Sequence, residues 1–309
     1  MIALLLSATL SQDVRPEFDP AALTYPKPDA ELGVPLNDGK TAFLDSRGGR
    51  VWVKAYVVLR NAPLEMFLCR RGTKEHESVL AVDSPAFVIH GGLVALGLEP
   101  GEPARYERPD GADEAPKFVA PRGPKLELTV HWDDAGAAKS RPASDWVRTV
   151  TRRWFSRPLA KSAMEGVSLP EDLEVRYVDI DGELLFFESM TEAERDRLLA
   201  LSKSSAWQDA VRDLFAKSQP VGLNAEWVFA GSGFSENPVT NERVYLAEGG
   251  TLVCVANFGE AMIDLAAVSS ATNDLLLYEP WAERVPELGT PVLLEIRAKR
   301  DAAATSPTE

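Results

Sequence analysis

The stretch "RVWVKAYVVLRNAPLEMFLC", Arg50 to Cys69, decides the fold class. Val51, Val53, Ala55, Val57 and Leu59 alternate with Trp52, Lys54, Tyr56 and Val58, the two-residue period of a strand. "NAP" (Asn61 to Pro63) interrupts the run with two residues that favour turns, and "LEMFLC" then resumes it. The expectation is a hairpin in which Leu64 to Cys69 returns antiparallel to the first strand.

Further along, "VLAVDSPAFVIHGGLVALGLEPG" (Val79 to Gly101) reads as a strand followed by a helix. Ser84 is the expected N-cap and Pro85 the first helical residue. Phe87, Val88, Leu93, Val94 and Leu96 are the expected buried positions, and Gly97 with Pro100 and Gly101 ends the helix. "KLELTVHWDD" and "AKSRPASDWVRTV" predict a second hairpin.

The character changes after Val150. "LEVRYVDIDGELLFFE" predicts two strands around Asp181-Gly182, followed by two helices with capping boxes, Thr191 with Glu194 and Ser205 with Gln208. Trp207, Val211, Leu214 and Phe215 recur at helical spacing, a stripe expected to pack on the neighbouring domain. Arg148, Arg152, Arg153, Arg157 and Lys161 form a basic run, read as a solvated face with an anionic partner patch as the lesser alternative. Strand patterns return in "EWVFAG", "RVYLAE", "GTLVCVAN" and "GTPVLLEIRA", with "SGFSENPVTNE" as a hairpin tip. Asn257 with Glu260 is expected to open a short helix, "FGEAMIDLA". "VLAVDSPAFVIHGGL" and "LVCVANFGEAMIDLAAV" also align as strings, with His90 and Asp264 deep in each, which raises an internal duplication against chance similarity.

Composition bounds the function. The 309 residues carry a net charge of −14, so phosphates are repelled and nucleic-acid binding is disfavoured. Ile2 to Leu10 is an apolar run resembling a secretory signal, although no Lys or Arg precedes it, and a Pro-rich segment follows. Export to the periplasm or cell envelope is therefore expected. No later stretch approaches the ~20 apolar residues that span a bilayer. Cys69 and Cys254 sit in apolar runs and are expected as free buried thiols. Two cysteines cannot hold an iron–sulfur cluster, which takes about four ligands, and no cofactor is expected.

"GTKEHES" (Gly72 to Ser78) concentrates Lys74, Glu75, His76 and Glu77. The favoured reading is a polar turn held by local hydrogen bonds. The rival is a metal or redox site built from Cys69, His76, Glu77 and His90, although the spacing matches neither HExxH nor a zinc pair. His90 is read as a hydrogen-bonded core residue and His131 as a surface one. "AGSGF" (Ala230 to Phe234) lacks the spacing of a hydrolase elbow, which leaves Ser232 a weak nucleophile. No phosphate-binding glycine motif occurs.

At these residues a resemblance becomes specific. "VWVKAYVVLRNAPLEMFLCRRGTKEHESVLAV", "VIHGGLVALGLEPG", "WVFAGSGF" and "LVCVANFGEAMIDLAAVSS" resemble the YdjY-domain family of bacterial proteins, many of which carry export signals. The resemblance implies no established reaction. It places a discontinuous YdjY-like domain at residues 35–150 and 224–297 and an insertion at 151–223. A signal at 1–12, a Pro-rich linker at 13–34 and a disordered tail at 298–309 complete the layout.

The fold class expected is α+β: a β-rich domain of antiparallel or mixed strands with short capped helices and an α/β insertion. The function expected is an exported, non-enzymatic binding or accessory module of the envelope. Its surface would be Lys74, Glu75, His76, Glu77, Ser232 and Phe234, and its ligand an unidentified protein or small molecule. The alternative is a metal-dependent or redox-linked enzyme using Cys69, His76, Glu77 and His90.

Overall fold

The structure, a computed structural model, describes residues 22–108, 116–236, 238–267 and 278–300. The expected signal, part of the linker and most of the tail lie outside the described residues. In chain order the elements are β1 (Val34–Pro35), β2 (Ala42–Asp45), β3 (Arg50–Val57), β4 (Met66–Arg70), β5 (Ser78–Val82) and helix α1 (Ala86–Ala95). β6 (Arg105–Glu107) and β7 (Lys117–Val119) pair as a hairpin, followed by β8 (Lys125–Asp134), β9 (Ala137–Pro142) and β10 (Val147–Thr149). The next group is β11 (Trp154–Pro158), β12 (Val175–Val178), β13 (Glu183–Phe187), α2 (Glu192–Ala200) and α3 (Ser205–Ser218). The chain then runs through β14 (Trp227–Phe229), β15 (Phe234–Glu236), β16 (Arg243–Tyr245), β17 (Val253–Cys254), β18 (Ile263–Leu265), β19 (Tyr278–Pro280) and β20 (Pro291–Ala298).

The main sheet closes on itself. Its hydrogen-bonded order runs β3-β20-β8-β14-β18-β17-β4-β5, and β5 pairs back to β3 through Tyr56↔Ala81. The result is a mixed β-barrel with β2 and β9 continuing outward from β3 and β8. Two long strands make this possible. β3 gives its first half to β2 and its last residues to β5 along one edge, while β20 follows the other. β8 divides its edge between β14 and β9 in the same way.

Burial follows the strand period. Leu126, Leu128, Val130 and Trp132 of β8 enter the main core, and Val51, Val53, Ala55 and Val57 of β3 join them. The opposite face of β3 is covered too: Trp52 packs with Phe43, Leu32 and Leu293, and Tyr56 with Met66 and Cys69.

The expected hairpin of β3 with β4 does not form. β5 slots between them, antiparallel to β3 and parallel to β4. "MFLC" and "SVLAV" are buried throughout, and such continuous apolar runs suit strands covered on both faces. The arrangement recurs on the other side, where β18 slots between β14 and β17. β4 and β17 meet antiparallel, Leu68 opposite Val253. The pairing β14-β18-β17 thus mirrors β3-β5-β4, matching β4–β5 with β17–β18 rather than the strings aligned above. The second string forms no helix: residues 257–262 are a turn leading into β18.

α1 begins after Pro85, and Ser84 makes no cap to it; its hydroxyl instead lies 3.4 Å from the Pro85 carbonyl. Ala86, Ile89, Gly92 and Leu93 face inward, whereas Phe87 and Val94 are exposed. Gly92 sets that face, because a Cβ there would lie 2.7 Å from Leu36 and 3.0 Å from Val51.

A second core belongs to residues 155–214. β11, β13 and β12 form its sheet, and Trp207, Ala210, Val211 and Leu214 of α3 bury against Phe155, Leu184 and Phe186. The α3 stripe thus packs within its own unit and not on the barrel. Thr191 and Glu194 make the expected capping box, but Ser205 and Gln208 do not. Gln208 instead donates to the Leu199 and Ser202 carbonyls at the end of α2. The basic run is internally matched. Arg148 pairs with Glu279, Arg152 with Glu188, Arg157 with Asp213 and Lys161 with Asp179, and Arg153 covers the Phe155 ring. Among the described residues no helix is long and apolar enough to cross a membrane.

Candidate functional site

Parallel neighbours usually need long crossovers, yet β4 reaches β5 through residues 71–77 alone. The connection must recover the length of a five-residue strand with little slack, since each residue spans at most about 3.6 Å. Its polar side chains hold it. Thr73 Oγ1 donates to the Arg70 carbonyl at 2.5 Å, Glu75 accepts the Gly72 N–H at 2.5 Å, and Glu75–Glu77 form a 3-10 turn. Gly250, at φ 112°, lets the neighbouring turn approach, because a Cβ there would sit 2.4 Å from Thr73 Oγ1.

Lys74 is the centre of this turn. Its Nζ lies 2.8 Å from Glu77 Oε1, 3.5 Å from Glu65 Oε2 and 5.0 Å from the centroid of the Phe258 ring. Burial and the adjacent Glu77 charge hold the Glu65 carboxyl above its usual range. Burial pulls the Lys74 ammonium down, but hydrogen bonds and charge from Glu77 and Glu65 outweigh it and hold the group above its ordinary value. His76 is exposed, with Nε2 3.6 Å from Glu77 Oε2.

The loop 255–262 between β17 and β18 faces this turn. Val255 and Ala256 donate to the Glu65 carbonyl. Asn257 Nδ2 bridges Asp264 Oδ1 (3.1 Å) and the Leu265 carbonyl (2.9 Å), while its own Oδ1 is buried without a partner among the described residues. Asp264 is fully buried, and loss of hydration pushes its carboxyl up to about 7 despite bonds from Asn257, Leu265 and Phe258. The far side of the loop is held by Ser232, in the left-handed region at φ 56°, whose hydroxyl donates to the Glu260 carbonyl at 2.6 Å. Phe234 is exposed beside Tyr245, with Arg243 over its ring. Arg70 pairs with Glu248, which also accepts the Phe87 N–H at the start of α1.

The rival set does not assemble. Cys69 is fully buried, and burial pushes its thiol up to about 11; Cys254 is raised by burial as well. His90 is enclosed by Phe229 and Tyr245, with Nδ1 2.8 Å from the Tyr245 hydroxyl. That hydroxyl donates its one hydrogen to the Gly231 carbonyl, so His90 Nδ1 must be the donor to it. Burial holds His90 below its ordinary value, which keeps it neutral. Among the described residues, no three His, Cys, Asp or Glu side chains are grouped to hold a metal. Lys74 and Ser232 meet one loop, with Glu77 beside Lys74, while Cys69 lies in the core and His90 is half-buried beside Tyr245.

His131 is not a surface residue. It is half-buried, edge-on to Trp52 and 2.8 Å from Glu295, and burial together with Lys27, Arg50 and Arg297 holds it down at about 4. Sequence reasoning also missed Glu65 and Phe258, each a single residue without a motif. Asp264 stood out as polar within an apolar run, but as part of a helix.

Residues 43–157 match the YdjY domain family. The match runs from β2 into β11 and holds the 71–77 turn. Four strands of the barrel, β14, β17, β18 and β20, lie beyond the matched YdjY segment. No curated protein and no solved structure matches the chain.

Both cysteines of the chain are free thiols. A thiol-specific reagent is therefore expected to spare both in the folded protein and to count two after unfolding without reductant. A count of zero, with a Cys69–Cys254 bridge mapped by mass spectrometry, would overturn that assignment.

Proposed function

We propose that this chain is an exported, non-enzymatic binding or accessory module of the bacterial envelope. Its binding surface is the rim made by Lys74, Glu75, His76 and Glu77, continued by Ser232 and Phe234. One observation carries the reading: two segments about 150 residues apart in sequence are both fixed to the loop 255–262. Lys74 sits over Phe258, and Ser232 holds the Glu260 carbonyl. Such convergence gives a polar, partly exposed surface on a rigid barrel, the setting in which loops carry recognition. The thiols and the histidine of the rival set are otherwise engaged. The thiols are buried and protonated, and His90 is a neutral donor to Tyr245.

The layout belongs to the same proposal. The barrel is one discontinuous domain, and the second core is an insertion. The chain leaves at Thr149 and returns at Val221, joined by Thr149 N–H to the Val221 carbonyl (2.8 Å) and Leu223 N–H to the Val147 carbonyl (3.0 Å). Leu223 packs in the barrel core, which supports an end of the insertion before Val221.

The test uses immobilised full-length protein and solubilised envelope from its own source. Wild type should retain a specific component, and the double variant Lys74→Glu, His76→Glu should lose at least about 90% of it, a tenfold effect worth roughly 1.4 kcal/mol. Equal retention by the variant, or no specific component, counts against the reading.

A further inference from the structure

The second unit holds an open cleft of about 510 Å³, within the range of small-ligand sites. It shares no residue with the rim of the barrel. Its walls include Trp154, Asp172, Glu174, Phe187, Glu188 and Ser189. Trp154 and Phe187 are opposed residues on β11 and β13, with rings 5.2 Å apart and tilted by 52°. Trp154 is nevertheless 38% exposed, so a large apolar ring is left in water at the cleft.

The polar groups around these rings are held in place by one another. Arg197 donates to both oxygens of Asp172 at 2.9 Å, Arg152 lies 3.2 Å from Glu188, and Arg176 lies 3.6 Å from Glu174 and 4.7 Å over the Trp154 ring. Each carboxylate still has lone pairs to offer, because an ionised carboxylate has about four acceptor positions. Their charges are largely answered within the protein. A cationic ligand would meet carboxylates already paired with Arg197, Arg152 and Arg176, and an anionic one would face four carboxylates, with Glu194 as the fourth.

We propose that this cleft binds a neutral polyhydroxylated ligand, a saccharide ring, packed on Trp154 and Phe187 with its hydroxyls bonded to Asp172, Glu174, Glu188 and Ser189. Such a ring has apolar C–H faces for the aromatic pair, and its hydroxyls both donate and accept, which suits fixed carboxylate–guanidinium pairs.

Calorimetric titration of the full chain with maltose, cellobiose and N,N′-diacetylchitobiose tests this, with spermidine as the charged comparison. At least one disaccharide should bind with Kd of about 1 mM or tighter. Trp154→Ala should weaken it tenfold or more and Glu174→Gln severalfold. If Trp154→Ala does not fold, Glu174→Gln decides. The proposal is overturned if none of the disaccharides binds, if binding survives in the variants, or if spermidine binds more tightly than any sugar.

Discussion

Trp207→Ala is expected to remove about 3–5 kcal/mol from the second unit and leave the barrel folded. The indole is fully buried among the side chains of that core, and its Nε1 donates to the Leu198 carbonyl at 2.7 Å. Truncation opens a cavity and removes one of the two hydrogen bonds to the Leu198 carbonyl, which keeps only the Leu201 N–H. Hydrogen exchange resolves the outcome. Amides of residues 155–218 should lose protection, while those of β3, β8 and β20 keep theirs. Equal loss in both places would mean that the two cores unfold as one and that the insertion proposal is wrong.

Asp264→Asn should change how stability depends on pH. The folded carboxyl titrates at about 7, against an ordinary value of 3.8, so between these values the folded state keeps a proton that the unfolded chain has lost. Its contribution is intact below about pH 4 and is lost as pH rises to 7, at about 1.4 kcal/mol per unit. Asparagine stays neutral throughout. In urea denaturation the variant should therefore gain on wild type by roughly 2–3 kcal/mol between pH 5 and pH 7. Carboxylates held low by surface cations, such as Glu226 beside Lys125 and Lys299, are common to both proteins and cancel in the difference. A difference that does not vary with pH would show that Asp264 is not a raised acid.

Much of the strand content was legible because it is local. β8 announces itself through alternation, and Asp181-Gly182 through its turn chemistry. The pairing of β3 with β5 was not legible. β4 and β5 are apolar without a period, so nothing local distinguishes which of them lies beside β3. The buried face of α1 was hidden for a related reason: "AFVIHGGLVA" is apolar on nearly every side, and the choice of Ala86, Ile89 and Leu93 falls to the close approach at Gly92. The site was half readable. Lys74 to Glu77 stood out as a polar cluster, whereas Glu65, Phe258 and Asp264 join it through strand pairing between distant parts of the chain.

The proposed function makes the 72–78 turn an ionic clasp on a binding surface and not part of a metal centre. Elemental analysis of the purified protein, with melting curves in the presence and absence of a chelator for wild type and His76→Ala, tests it most directly. No stoichiometric metal and no chelator effect are expected. His76→Ala should cost about 1 kcal/mol or less, since that side chain is exposed and only 3.6 Å from Glu77. One zinc per chain in wild type, absent from His76→Ala and matched by a chelator-sensitive melting temperature in wild type alone, would contradict it.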